Sequence, residues 1–155
     1  MAHLSVGLLR GLGTSLTVGV GAKMPIADTA SYGTGAWDIG GSVSLSQGLG
    51  WATLVSLDVS YWHLGDPAGL DLRDAVMGSA SVAQLLGTGW AGSVYVSGAR
   101  SIVAGLEDIY YVGASLSRLA GSRALGITAS LGLTETAPDF TVGINWRIGL
   151  WRKGS

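Results

Sequence analysis

Apolar and small polar residues alternate along nearly the whole chain with a period of two. Leu16, Val18, Val20 and Ala22 interleave with Thr17, Gly19, Gly21 and Lys23. Ile39, Val43 and Leu45 interleave with Asp38, Ser42, Ser44 and Ser46. Val55, Leu57, Val59 and Tyr61 interleave with Ser56, Asp58 and Ser60. The same alternation recurs around Ser79 and Ser81, Ser93 and Ser97, Ser115 and Ser117, Thr128 and Ser130, and Thr141 and Asn145. An extended strand points successive side chains to opposite faces, so this period predicts strands and excludes amphipathic helices. Eight such segments of about 10 to 13 residues emerge, the length that a tilted strand needs to cross a bilayer. A ninth, residues 4–10, is weaker because Leu8 and Leu9 break its alternation.

The connections fall into two classes. Tight ones are expected at residues 11–13, 47–50, 86–89 and 119–123, longer ones at 25–35, 63–73, 103–108 and 135–139. Tight and longer connections take turns, which is the signature of an up-and-down meander with all tight turns at one end. Charge follows the same division. Asp28, Asp66, Asp71, Asp74, Glu107, Asp108, Glu135 and Asp139 lie in or beside longer connections. Arg10, Arg118, Arg123, Arg152 and Lys153 lie at the tight-turn end or the C-terminus.

Composition then decides which solvent each face meets. Only 12% of the 155 residues are charged, about half the usual share, and mean hydropathy is +0.43. No apolar run approaches the roughly 20 residues of a spanning helix. The polar face is Ser, Thr and Gly, where a soluble antiparallel sheet would carry charged residues. The expected fold is therefore all-β: a closed antiparallel up-and-down transmembrane β-barrel, its apolar face toward lipid. Bacterial barrels have even strand counts, so eight strands are expected, with nine or ten, or recruitment of strands by homo-oligomerisation, as alternatives. Residues 14–151 would form the barrel. Residues 1–13 would be an N-terminal tail, an inserted plug or a remnant strand, and residues 152–155 a C-terminal tail. Residues 1–13 also lack the basic start and apolar core of a secretory leader, so a mature chain is expected.

Aromatic residues cluster at both strand ends, as in interfacial girdles. Trp51, Trp90 and Trp151 belong to the tight-turn end; Trp37, Tyr61, Trp62, Tyr110, Tyr111 and Phe140 belong to the other. Strand parity places Ser42, Ser44, Ser56, Ser79, Ser81, Ser93, Ser97, Ser115, Ser117 and Ser130 on the lumen side. Lys23, Asp38, Asp58, Arg73, Asn145 and Arg147 share that parity and are the candidates for tuning passage. Lys23 and Asp38 are expected to face each other across a hairpin, and Asp58 to neighbour Arg73. Arg118 has outward parity and is expected to reach toward headgroups.

Other chemistry is sparse. A net charge of −1 argues against a nucleic-acid partner. With two histidines and no cysteine, no metal-ligand spacing exists, and no cofactor is expected. "GLGTSL" and "GVGAKM" lack the positions of a phosphate loop. His63, with Ser60, Asp58 and Asp66 nearby in sequence, supplies the residue types of a membrane hydrolase; a loop histidine at headgroup level is the simpler reading, and no enzyme is expected.

The stretch "AKMPIADTASYGTGAWDIGGSVSLS" resembles outer-membrane proteins described as "transporter" or as a meta-pathway of phenol degradation, through Lys23, Pro25, Gly33, Gly35 and Asp38. "LGLTETAPDFTVGINWRIGL" is similar to the end of such proteins, with Pro138, Asp139 and Phe140 before the last strand. Thr141, Gly143, Trp146 and Ile148 resemble the C-terminal signal read by the barrel assembly machinery, with the usual terminal aromatic displaced. The family is longer, so the chain looks like a shortened relative or a C-terminal portion. The resemblance implies a Gram-negative outer membrane, tight turns in the periplasm, acidic loops outside, and passage of small, hydrophobic or aromatic molecules. A structural or engineered membrane barrel without transport is the alternative.

Overall fold

The computed structural model describes residues 2–11, 13–24, 36–65 and 72–148. It is a single antiparallel sheet of nine strands in sequence order: β1 (Ala2–Gly11), β2 (Thr14–Lys23), β3 (Asp38–Leu49), β4 (Thr53–His63), β5 (Ala75–Leu85), β6 (Trp90–Ala99), β7 (Ile109–Ala120), β8 (Arg123–Gly132) and β9 (Phe140–Ile148). All eight expected segments are strands. Among the described residues no helix is long and apolar enough to cross a membrane, which says nothing of crossing by strands.

The strand count is that of an alternative rather than of the leading expectation. It is nine, because the N-terminal segment pairs with β2 from Ala2↔Ala22 to Gly11↔Thr14. A register shift between Gly7 and Leu9 absorbs the consecutive leucines. The extra residue restores the alternation that the linear pattern lacks, and pairing satisfies a row of amides that a tail would leave open. Residues 2–11 are thus a strand of the sheet, neither tail nor plug. The sheet is not closed: among the described residues β1 and β9 each have a single strand neighbour.

The connections alternate between tight and longer as the sequence predicts, with shifted bounds at several of them. β3 continues to Leu49, so the second tight connection begins at Gly50 rather than Gln47. Gly50 adopts φ 68° and Gly13 φ 79°, a left-handed conformation that costs other residues about 1 kcal/mol or more. At the opposite end the longer connections hold one another. The Arg73 amide donates to the Ile102 carbonyl at 2.8 Å, and the Glu135 amide donates to Glu107 Oε2 at 3.2 Å.

No core covers this sheet. Among the described residues the sole buried apolar side chain is Ala137, in the connection before β9. Many apolar side chains along the strands stay open, among them Leu45 at 41% and Ile144 at 76% exposure, while Val18, Val55 and Val112 are half-buried. Exposing each such side chain to water forfeits about 1.5–3 kcal/mol relative to burial, and the sum over nine strands exceeds the 5–15 kcal/mol that holds a typical domain together.

Candidate functional site

The polar positions join into one continuous face across the sheet. Lys23 pairs with Asp38, Gly19 with Ser42 and Thr17 with Ser44 on β2–β3. The row then runs from Ser44 to Asp58, to Ser79, to Ser97 and to Tyr111. A second row links Ser46, Ser56, Ser81 and Tyr95. A third links Ser93 to Ser115, Thr128 and Gly143. Ser117 leads to Gly126 and Asn145, Ser130 faces Thr141, and Arg147 faces Ala124 near the tight-turn end. Every expected serine therefore shares one face. The hydroxyls satisfy one another where they meet: Ser93 and Ser115 lie 2.8 Å apart, and Asn145 Nδ2 donates to Thr128 Oγ1 at 3.4 Å.

A cavity of about 440 Å³ lies on this face. Its walls include Ser42 of β3, Asp58 of β4, Ser79 of β5, Ser97 of β6 and Tyr111 of β7. Half-buried Ser44, Ser46, Ser56, Ser115 and Ser117 alternate with exposed Val43, Leu45, Leu57 and Leu116, the pattern of a sheet that curls with its polar face on the concave side. Asp58 sits midway along β4 with an exposed carboxylate. Its one described polar contact is Ser79 Oγ, donating to Oδ2 at 3.4 Å. Among the described residues it is the carboxylate at mid-strand on this face.

The other expected charges divide. Lys23 Nζ lies 2.8 Å from Asp38 Oδ2, and the Gly65 amide donates to Asp38 Oδ1 at 3.1 Å. Asp38 is only 8% exposed, so both oxygens are used in tying the starts of β3 and of the connection after β4 to β2. Arg73 does not neighbour Asp58. It precedes β5, while Ser79 stands opposite the carboxylate. Asp58 lies on the polar face, whereas Arg73 lies outside the strand and at a different height.

The aromatic residues also divide. Trp37, Tyr61, Tyr110 and Phe140 lie at the end of the longer connections with 47–60% exposure, and share the apolar parity. Trp51 occupies a tight turn with 86% exposure. Trp90 is stacked by Arg118, whose guanidinium carbon lies 5.3 Å from the ring centroid. This is a cation–π contact at the expected outward position. Trp62 and Tyr111 are the corrections. Trp62 pairs with Gly40 and Tyr111 with Ser97, so both lie on the polar face. Each stands one residue from an outward aromatic, and consecutive strand residues cannot share a face. Trp146, 71% exposed near the tight-turn end, belongs with the outward aromatics. Trp151 lies outside the described residues.

Many glycines serve as seats for these rings. A Cβ at Gly40 would fall within the Trp62 ring, and one at Gly21 would come 2.7 Å from Trp62 Cη2. Gly113 makes the same room for Tyr95. The polar face is thus less empty than a serine–glycine reading suggests.

Ser60 and His63 are three residues apart on one strand, so they point to opposite faces; Asp58 goes with Ser60. No serine–histidine–acid arrangement forms there, and Asp66 lies outside the described residues. The partner of His63 is Asp74, whose Oδ1 lies 2.8 Å from Nδ1. Tyr61 donates its phenol to the other oxygen of Asp74. Register could have found this cluster: Trp62 pairs with Ala75, so His63 and Tyr61 flank Asp74 on the outward face. The Tyr61 hydrogen bond, and after it that of His63, holds the Asp74 carboxyl below the usual carboxylate range. A carboxylate with a lowered pKa contributes its interactions fully above its ordinary pKa. It loses them as pH falls through the lowered value. Tyr61→Phe is expected to move the Asp74 titration up toward the ordinary value of about 3.9. The carboxyl-carbon chemical shift of Asp74 across pH 2–6 measures this, and an unmoved midpoint would refute the coupling. Among the described residues no group of three or more His, Cys, Asp or Glu is placed to hold a metal ion.

No protein-family model matches the chain, and no curated protein matches it either.

Proposed function

We propose that this chain is a transmembrane β-barrel of a bacterial outer membrane that acts as a passive pore for ions or small molecules. One observation carries the reading. Among the described residues the strands expose an apolar face with no core packed over it, while the opposite, concave face carries the serine rows. A soluble barrel or sandwich would bury the apolar face as its core. Lipid covers it instead in the proposed state. Hydrocarbon leaves open amides unpaired, so both edges of the sheet are paired in the inserted state.

The serine rows then line an aqueous lumen, with Asp58 at mid-depth. The outward aromatics mark the two interfaces. The tight turns face the periplasm, and the longer acidic connections face outside. The partners are lipid or detergent, and the barrel assembly machinery through the C-terminal strand. The resemblance to outer-membrane transporters points to the same place and to small, hydrophobic or aromatic cargo.

The experiment is reconstitution. Purified chain folded in detergent should resist alkaline carbonate extraction from vesicles, and should give discrete conductance steps in a planar bilayer. A chain that stays dispersed without detergent would overturn the membrane reading. An integrated, heat-modifiable but electrically silent barrel would overturn the pore and leave a structural barrel.

A further inference from the structure

We infer that the sheet is completed by one additional strand lying between β1 and β9 and antiparallel to both. This rests on the membrane reading above. The argument begins with direction. Every neighbouring pair in the sheet is antiparallel. First and ninth strands therefore run the same way. Direct closure of β1 on β9 would create a parallel seam, which is slightly less stable per residue, in an otherwise antiparallel sheet. A single strand inserted between them runs against both edges and brings the count to ten, an even number.

The edges themselves favour pairing. Every second residue of β1 and β9 directs its amide and carbonyl away from the sheet, and in hydrocarbon each unsatisfied group costs several kcal/mol. Of the devices that protect a lasting edge, such as lysine, proline, other charges and bulges, β1 has one bulge and Arg10 and β9 has Arg147, and neither strand has lysine or proline. Their exposed side chains also define the missing neighbour. Leu4 and Val6 on β1 and Val142 and Ile144 on β9 are 52–76% exposed on the apolar face. Ser5 and Gly7, and Thr141 and Gly143, occupy the polar face. The fitting partner is an extended segment of about ten residues that alternates apolar with small polar side chains, matching the ten residues of β1.

The chain has no cysteine, so introduced thiols report cleanly. Ser5→Cys is combined in turn with Thr141→Cys, Gly143→Cys and Asn145→Cys in the full chain, in vesicles from which carbonate does not extract it. Extraction would be the failure of the membrane reading and would show before any seam is measured. The probe is a synthetic peptide with the sequence of Thr14–Lys23, the strand that already pairs antiparallel with β1. The expected result is one peptide bound per chain, with alternate amides of both β1 and β9 exchanging at least about ten-fold more slowly. No disulfide forms within the chain in any of the three double variants. An intramolecular disulfide would overturn the proposal in favour of a direct parallel seam. Disulfide-linked dimers of Ser5→Cys alone or Gly143→Cys alone would overturn it in favour of a second copy. Unchanged exchange at either edge with peptide present would also overturn it.

Discussion

Ile127→Arg is expected to collapse the population of folded, membrane-integrated chain. Ile127 is the fifth residue of the ten in β8, outward-facing and 55% exposed. An arginine on the lipid face at mid-depth costs about 2–4 kcal/mol, which is about 30- to 900-fold in the folding equilibrium. Thr128→Arg, one residue along and on the concave face, is expected to leave folding nearly unchanged, because its guanidinium stands in water. The pair is compared by urea titration of tryptophan fluorescence in lipid vesicles. Equal effects of the two substitutions would sink the assignment of faces, since only a lipid-covered face distinguishes them at this spacing.

Removing the charge of Asp58 is the second large effect. In a water-filled lumen a single charge acts on a passing ion with about 1 kcal/mol at 4 Å, or about five-fold in cation occupancy. The wild-type pore is expected to prefer cations. Asp58→Asn is expected to cut that preference about five-fold, and Asp58→Lys to reverse it. The reversal potential under a KCl gradient measures this. The effect should fade near 1 M salt, where the Debye length shrinks to about 3 Å. An unchanged reversal potential in Asp58→Asn would show that ions do not pass this carboxylate. Lys23 and Asp38 are expected to matter less to selectivity, because their charges already neutralise each other at 2.8 Å.

Much of this arrangement was legible in the chain because strand parity is a local property. An extended backbone turns each side chain to the face opposite its neighbours, whatever the rest of the molecule does. The alternation through Ser42, Val43, Ser44 and Leu45 therefore gave the faces of β3 correctly, and the alternation of tight and longer connections gave the strand order. The errors arose where a decision was not local. Leu8 and Leu9 break the period of the N-terminal segment in the linear pattern, and only the pairing with β2 shows that a one-residue bulge restores it. Trp62 and Tyr111 were grouped with outward aromatics by their nearness to a strand end, although their own parity pointed inward. Asp74 was overlooked because it precedes its strand, and its contacts with His63 and Tyr61 depend on the β4–β5 register.

The amino-acid sequence by itself determined that this protein is made of amphipathic strands with one apolar and one small polar face, since both follow from side-chain order along an extended backbone. Tertiary structure alone decided how many strands join, which glycines hold aromatic rings, which carboxylate meets a serine rather than a cation among the described residues of the concave face, and that the edges of β1 and β9 run in the same direction. Those features depend on pairing between segments far apart in the chain. Register and direction are relations between strands, and no single strand encodes them.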